Sequence, residues 1–202
     1  MVVKRKSIMV GVLALQGNYS KHIEILQKLK ISSCEVRYNH QLNEINGLII
    51  PGGESTTMTD LMNRNDFYNG IKLFSETKPI LGTCAGLIMM SKSTLDERVR
   101  PLGLLDIEIN RNAYGRQIHS FVNELPVKMG GKLETISATF IRAPQITKVE
   151  KNVEIISHYN KKPVAVKQGI HMGLAFHPEL NNVTMFHDFV FIKQFNSKKH
   201  AA

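Results

Sequence analysis

Two cysteines in 202 residues are too few for a disulfide framework, and positions 34 and 84 do not have metal-ligand spacing. A reducing compartment is expected. No run of 18 or more apolar residues is present, so the chain offers no membrane-spanning helix. The start, with Lys4, Arg5 and Lys6 before "MVGVLALQG", has the charge order of a signal peptide but no small-residue cleavage site. It reads as the first strand of a cytoplasmic protein. The sequence also lacks a basic stripe interleaved with aromatics. Of the 26 basic residues behind a net charge of +9, five lie in the tails (Lys4, Arg5, Lys6, Lys198, Lys199), and without them about +4 remains. That distribution argues against nucleic-acid binding, and a membrane partner is not expected either. Neither internal repeats nor a low-complexity linker break the chain, so one domain over 1–202 is expected, with short basic tails at about 1–6 and 197–202.

What is present is a change of pattern near residue 100. Before it, strand and helix signals alternate: "SIMVGVLAL", "NYSKHIEILQKLK" behind a candidate Asn18 cap, "CEVRY", "GLIIP", "ESTTMTDLMNRN", "KPILG" and "CAGLIMMSK". This alternation is the mark of βαβ units around a parallel sheet. After it, "LDIEIN", "ISATFI", "VEIISHYN", "PVAVKQ" and "HMGLAF" are short alternating segments, and "NVTMFHDFVFIKQF" reads as a closing helix. The expected class is α/β, with a central mostly parallel sheet, helices on both faces and additional antiparallel strands in the second half. Met58, Met62, Met89 and Met90 fall at helical spacing and are read as core.

Three motifs carry chemistry. "GTCAG" places Cys84 between Gly82 and Gly86 at a strand-to-helix turn, the elbow geometry that raises a nucleophile above a sheet. The helix start behind it would favour a thiolate; the alternative is a small buried cysteine at a strand end. A thiolate needs a base and the base an orienting group. Of eight histidines, His177 stands out in "AFHPEL". Proline favours an extended residue before it, and in an extended segment His177 and Glu179 share a side. His22, His40, His158 and His187 read as surface or packing residues, and His171 and His200 as equally ordinary. Finally, "LIIPGGESTT" puts Gly52 and Gly53 at a strand end, where backbone N–H groups could meet a phosphate or an oxyanion. It lacks the lysine of a phosphate-binding P-loop, which leaves acyl transfer as the better reading.

"PGGEST", "GTCAG" and "FHPEL", in this order, resemble the class I (triad) glutamine amidotransferases. "GVLALQG", "LGLLDIEINRNAYGRQIHSF" and "FIRAP" narrow the resemblance to the glutaminase-subunit family of pyridoxal 5′-phosphate synthase, over roughly residues 8 to 195. The resemblance implies a flavodoxin-like amidotransferase fold and hydrolysis of L-glutamine to glutamate and ammonia through a cysteine thioester. Cys84 would be the nucleophile, His177 the general base and acid, and Glu179 its orienter. It also implies oxyanion donors at Gly52, Gly53 and Ala85, and glutamine-binding positions at Gly52, Gly53, Glu54, Arg111, Ile141 and Arg142. Neither metal nor cofactor is implied. The implied partner is the synthase (lyase) subunit, receiving ammonia in a large ring assembly. Lys21 and His119 stand where the family commonly carries acidic residues, and Gln16 sits where it could reorganise the Gly-Gly loop when the partner docks. Two other readings remain: the glutaminase of another amidotransferase pathway, or another cysteine-elbow hydrolase. A non-catalytic module on the same fold should have lost part of the triad, and all three residues stand here.

Overall fold

A computed structural model describes residues 8–111 and 120–193. The basic tails, together with Arg116 and His119, lie outside the described residues. In chain order the elements are β1 (Met9–Leu13), α1 (Tyr19–Lys28), β2 (Ser32–Val36), β3 (Gly47–Ile50), α2 (Ser55–Arg64), α3 (Phe67–Ser75), β4 (Ile80–Thr83) and α4 (Ala85–Met90). Then come β5 (Ser91–Thr94), β6 (Leu105–Asn110), β7 (Phe121–Met129), β8 (Lys132–Phe140), β9 (Gln145–Val149), β10 (Glu154–Tyr159), β11 (Lys162–Gln168) and β12 (His171–Leu174). A 3₁₀ turn (Pro178–Asn181), α5 (Met185–Asp188) and a π-turn (Phe189–Lys193) complete it.

Seven strands form the central sheet in the order β10-β11-β12-β4-β3-β1-β2. The five from β12 to β2 are parallel, and β10 and β11 join antiparallel. This is the expected α/β class. The parallel strands are continuous apolar runs because both faces are covered: Val10, Val12, Leu48, Ile49, Ile50, Ile80 and Leu81 have no exposed surface. Met58, Met62, Met89 and Met90 are core, as expected.

Four elements go beyond the sequence reading: α3, β5, β7 and β9. In α3, Phe67, Ile71 and Phe74 are buried at helical spacing, but Gly70 weakens the helical signal. A Cβ at Gly70 would lie 1.9 Å from Asn39 Oδ1, so a larger residue there requires the Asn39 side chain to move. In β7, Pro126 argues against a central strand. It is tolerated because β7 and β8 form a separate two-stranded ribbon. Gly130 and Gly131, both at positive φ (60° and 78°), make its tight turn.

Candidate active site

The site lies at the C-terminal ends of the parallel strands, where open α/β sheets place their ligands. Cys84 follows β4 directly and opens α4, with φ 51° and ψ −105°. A non-glycine residue there is strained, and the surroundings must hold it. Its N–H donates to the Leu174 carbonyl at 2.8 Å, and Gly86 permits the turn because a Cβ would come within 1.9 Å of the Ile50 carbonyl oxygen. The elbow expected from "GTCAG" is therefore present, tied to the neighbouring strand and to β3.

His177 reaches Cys84 from a different geometry than expected. The strand ends at Leu174, and His177 (φ −110°, ψ 85°) precedes the 3₁₀ turn rather than continuing an extended segment. Pro178 begins that turn, which folds Glu179 back so that His177 Nδ1 and Glu179 Oε1 are 2.7 Å apart. Spacing of two was informative, but through a turn and not a strand. The His177 N–H also donates to the Thr139 carbonyl at 2.9 Å, fixing the backbone against β8. All three side chains are shielded: Cys84 and His177 are each 7% exposed and Glu179 2%.

The charges in this pocket follow from burial set against partners. Desolvation pulls the His177 imidazole down, but its hydrogen bonds to Cys84 and Glu179 outweigh that and raise it to about 10. Burial likewise opposes ionisation of Glu179, yet His22 and His177 hold its carboxyl below the ordinary value. The arrangement sets an imidazolium and a carboxylate in a row beside the Cys84 sulfur.

Gly52 lies against this group: a Cβ there would sit 2.4 Å from His177 Cε1 and 3.3 Å from Cys84 Cβ. Only glycine allows the loop this close. Gln16 holds the adjoining peptides, its Nε2 donating to the Glu54 carbonyl at 2.8 Å and its Oε1 accepting from the Glu54 N–H at 3.1 Å. Asn18 stands before α1 but makes no side-chain cap there; its residue borders the cleft instead.

A cavity of about 270 Å³ opens above Cys84, and Gly52, Gly53, Glu54, Arg111, Ile141, Arg142 and His177 all line it. This is near the lower limit of common ligand sites and suits a small molecule. Arg111 pairs with Glu54 at 2.5 Å and Asp96 at 3.0 Å. Burial opposes the Glu54 charge, but hydrogen bonds from Thr56, from the Thr57 N–H and hydroxyl, and from Arg111 lower its pKa to about 2. Glu54 also caps α2 through that Thr57 N–H. Asp96 is lowered to about 2, mainly by its hydrogen bond from Arg98. Arg142 adopts φ 43° at the end of β8, and the preceding Ile141 carbonyl accepts from Cys84 Sγ at 3.7 Å.

No motif in the sequence marks Asp96. Of the two readings for His22 and His187, packing holds and surface does not: both are fully buried, His22 Nδ1 lies 2.9 Å from His187 Nε2, and His22 Nε2 lies 3.6 Å from Glu179 Oε2. Position on a helix face carries no signal of what that face meets. Among the described residues no cluster of three or more histidine, cysteine or acidic groups could hold a metal ion, and no helix is long and apolar enough to cross a membrane.

Residues 12–197 match the SNO glutamine amidotransferase family. The chain is 46% identical over 187 residues to an Oenococcus oeni protein named pyridoxal 5′-phosphate synthase subunit PdxT, covering 93% of this chain and 96% of the relative. A Shouchella clausii protein of the same name is 46% identical over 185 residues, covering 91% and 93%. A crystal structure of a glutamine amidotransferase superposes with a TM-score of 0.83 at 37% identity, covering 90% of this chain and 96% of the other. PurLQS from Thermotoga maritima shares the fold, with a TM-score of 0.66 at 19% identity over 86% and 88%.

Proposed function

Because this chain belongs to the SNO glutamine amidotransferase family, we propose that it is the glutaminase subunit of pyridoxal 5′-phosphate synthase, with Cys84, His177 and Glu179 as its triad. The observation that carries the reading is the buried row of Cys84, His177 and Glu179 at the floor of a small cavity. The names of the Oenococcus oeni and Shouchella clausii relatives support the pathway.

In this reading the Cys84 thiolate attacks the side-chain amide carbon of glutamine. The tetrahedral oxyanion is held by backbone N–H groups of Gly52, Gly53 and Ala85. His177 gives its proton to the departing nitrogen, so ammonia leaves and a γ-glutamyl thioester remains. Water, deprotonated by His177, attacks the thioester; glutamate leaves and the thiol is restored. Glu179 keeps the imidazole oriented throughout. Gly52, Gly53, Glu54, Arg111, Ile141 and Arg142 form the glutamine-binding wall, in which a guanidinium fork suits the substrate α-carboxylate and Glu54 suits its α-ammonium.

One amidotransferase domain spans 1–202 and works in the cytoplasm with a synthase (lyase) subunit. The assembly is a large ring, and this chain requires no cofactor of its own. Ammonia is mostly protonated at neutral pH, so passing it directly to the partner preserves its nucleophilic form.

Glutamate and ammonia release, measured with and without the synthase subunit, tests the reading. Release is expected to be low alone and to rise with the partner, while Cys84→Ala removes it and still folds and binds the partner. Turnover by Cys84→Ala would sink the triad assignment, and equal rates with and without the synthase would remove the dependence on the partner.

A further inference from the structure

Behind Glu179, on the side away from Cys84, lies a second buried polar row that the triad does not use. His22 comes from α1, His187 from α5 and Thr83 from the last position of β4; each has no exposed surface. His22 Nδ1 lies 2.9 Å from His187 Nε2, and His22 Nε2 lies 3.2 Å from Thr83 Oγ1 and 3.6 Å from Glu179 Oε2. Glu179 Oε2 and His187 Nδ1 have no hydrogen-bond partner among the described residues. Together with Cys84 and His177, these are the buried imidazole, thiol and carboxylate groups that face one another. Close by in sequence, Asp188 is paired with Lys193 and Lys21 with Glu24, both at the surface.

Two tautomer arrangements connect this row. If His22 Nδ1 carried the proton, it would donate to His187 Nε2. His187 Nδ1 would then be a buried N–H without an acceptor, and His22 Nε2 would turn a lone pair toward the Glu179 carboxylate. Both features are costly in a dry interior. In the reverse arrangement His187 Nε2–H donates to His22 Nδ1. His22 Nε2–H then points between Thr83 Oγ1 and Glu179 Oε2, and only a lone pair is left unused on His187 Nδ1. Burial pushes both imidazoles below their ordinary value, which favours their neutral forms, and a neutral pair must choose one of these arrangements.

The geometry points to His22, locked in its Nε2–H tautomer by His187, as a positioning residue that holds the Glu179 carboxylate behind His177. This rests on the triad reading above and deepens it. His177 supplies a partner for Glu179 Oε1 alone. The second oxygen, which has no hydrogen-bond partner among the described residues, meets the positive end of the His22 N–H dipole. A carboxylate so placed resists protonation and rotation, both of which would free the His177 ring. The row links α1 to Glu179 directly through His22, and α5 to it indirectly through His187, by side chains that do not line the cavity.

The test compares wild type, His22→Gln and His22→Met as full chains with the synthase subunit, following glutamate release from pH 5 to 9. Glutamine keeps an amide N–H near the Nε2 position, whereas methionine keeps the length and loses the donor. His22→Met is expected to lower kcat about tenfold, the size of losing one interaction with a charged group, with KM nearly unchanged. Its acid limb should move up by about half a pH unit or more as Glu179 takes a proton sooner. His22→Gln should recover most of kcat and the wild-type limb. The inference is overturned if His22→Met matches wild type in both, or if His22→Gln falls as far as His22→Met, which would mark a packing role alone. Should His22→Met fail to fold, His187→Met carries the test. It frees His22 to flip its tautomer and should shift the same limb in the same direction; an unmoved limb refutes the lock. Absence of glutamate release from wild type, or release by Cys84→Ala, would instead strike the triad reading itself.

Discussion

The floor and the rim of the cleft are built from different physics. At the floor, Cys84, His177 and Glu179 are all less than a tenth exposed and are held by strand ends, an elbow and a turn. At the rim, the Arg111 side chain is 19% exposed and the Glu54 side chain 39%, and the contacts are ion pairs. A buried group cannot exchange its partner for water, so its geometry is fixed before substrate arrives. The Arg111–Glu54 pair is partly exposed, so it can open to water at little net cost. In the proposed reading, chemistry falls to the rigid part and recognition to the adaptable one.

The most severe way to break this contrast is Glu179→Gln. It keeps the shape of the floor but loses the negative charge that orients His177, and kcat should fall by about 10³ to 10⁴, as when a triad carboxylate is neutralised. A fall of less than tenfold, measured as glutamate release with the synthase present, would mean that Glu179 is not the orienter. Gly52→Ala probes the boundary between floor and rim. Its methyl would be 2.4 Å from His177 Cε1, so the ring or the loop must move, and a displacement of about 1 Å costs about a hundredfold in kcat. The chain should keep its circular dichroism spectrum; unchanged kcat would show that the loop gives way instead.

The mildest effect belongs to the rim. Arg111→Met should raise KM for glutamine about tenfold, the loss of one charged contact, and leave kcat within about threefold. A change confined to kcat would place Arg111 with the floor. The same variant sharpens the electrostatics. Glu54 and Asp96 are depressed to about 2, so what their ionised forms contribute to stability is present above the ordinary carboxylate range and lost as pH falls toward 2. The melting-temperature gap between wild type and Arg111→Met should therefore be constant above about pH 5 and close between about pH 4.5 and 2. A gap that persisted at pH 2 would show that Arg111 stabilises by packing.

The elbow was legible in "GTCAG" because glycines beside a strand end report a steric demand, and Gly86 indeed faces the Ile50 carbonyl. "HPEL" was legible for a partly different reason than the one that operates: proline starts a turn after His177, and the turn brings Glu179 back. β7 was hidden because Pro126 obeys the rule for edge ribbons, not central strands. His22 was hidden because its partner Glu179 lies far along the chain, and Asp96, which pairs locally with Arg98, gave no sign that it also meets Arg111.

Local sequence by itself determined the alternating α/β pattern, the turn at Cys84 and the pairing of His177 with Glu179, since each depends on residues within a few positions of one another. The tertiary structure decided which histidines stand behind Glu179 and which carboxylates hold Arg111. Those contacts join α1 to α5 and the Asp96 loop to the start of α2, and burial gives them their force by removing the water that would otherwise satisfy each group separately.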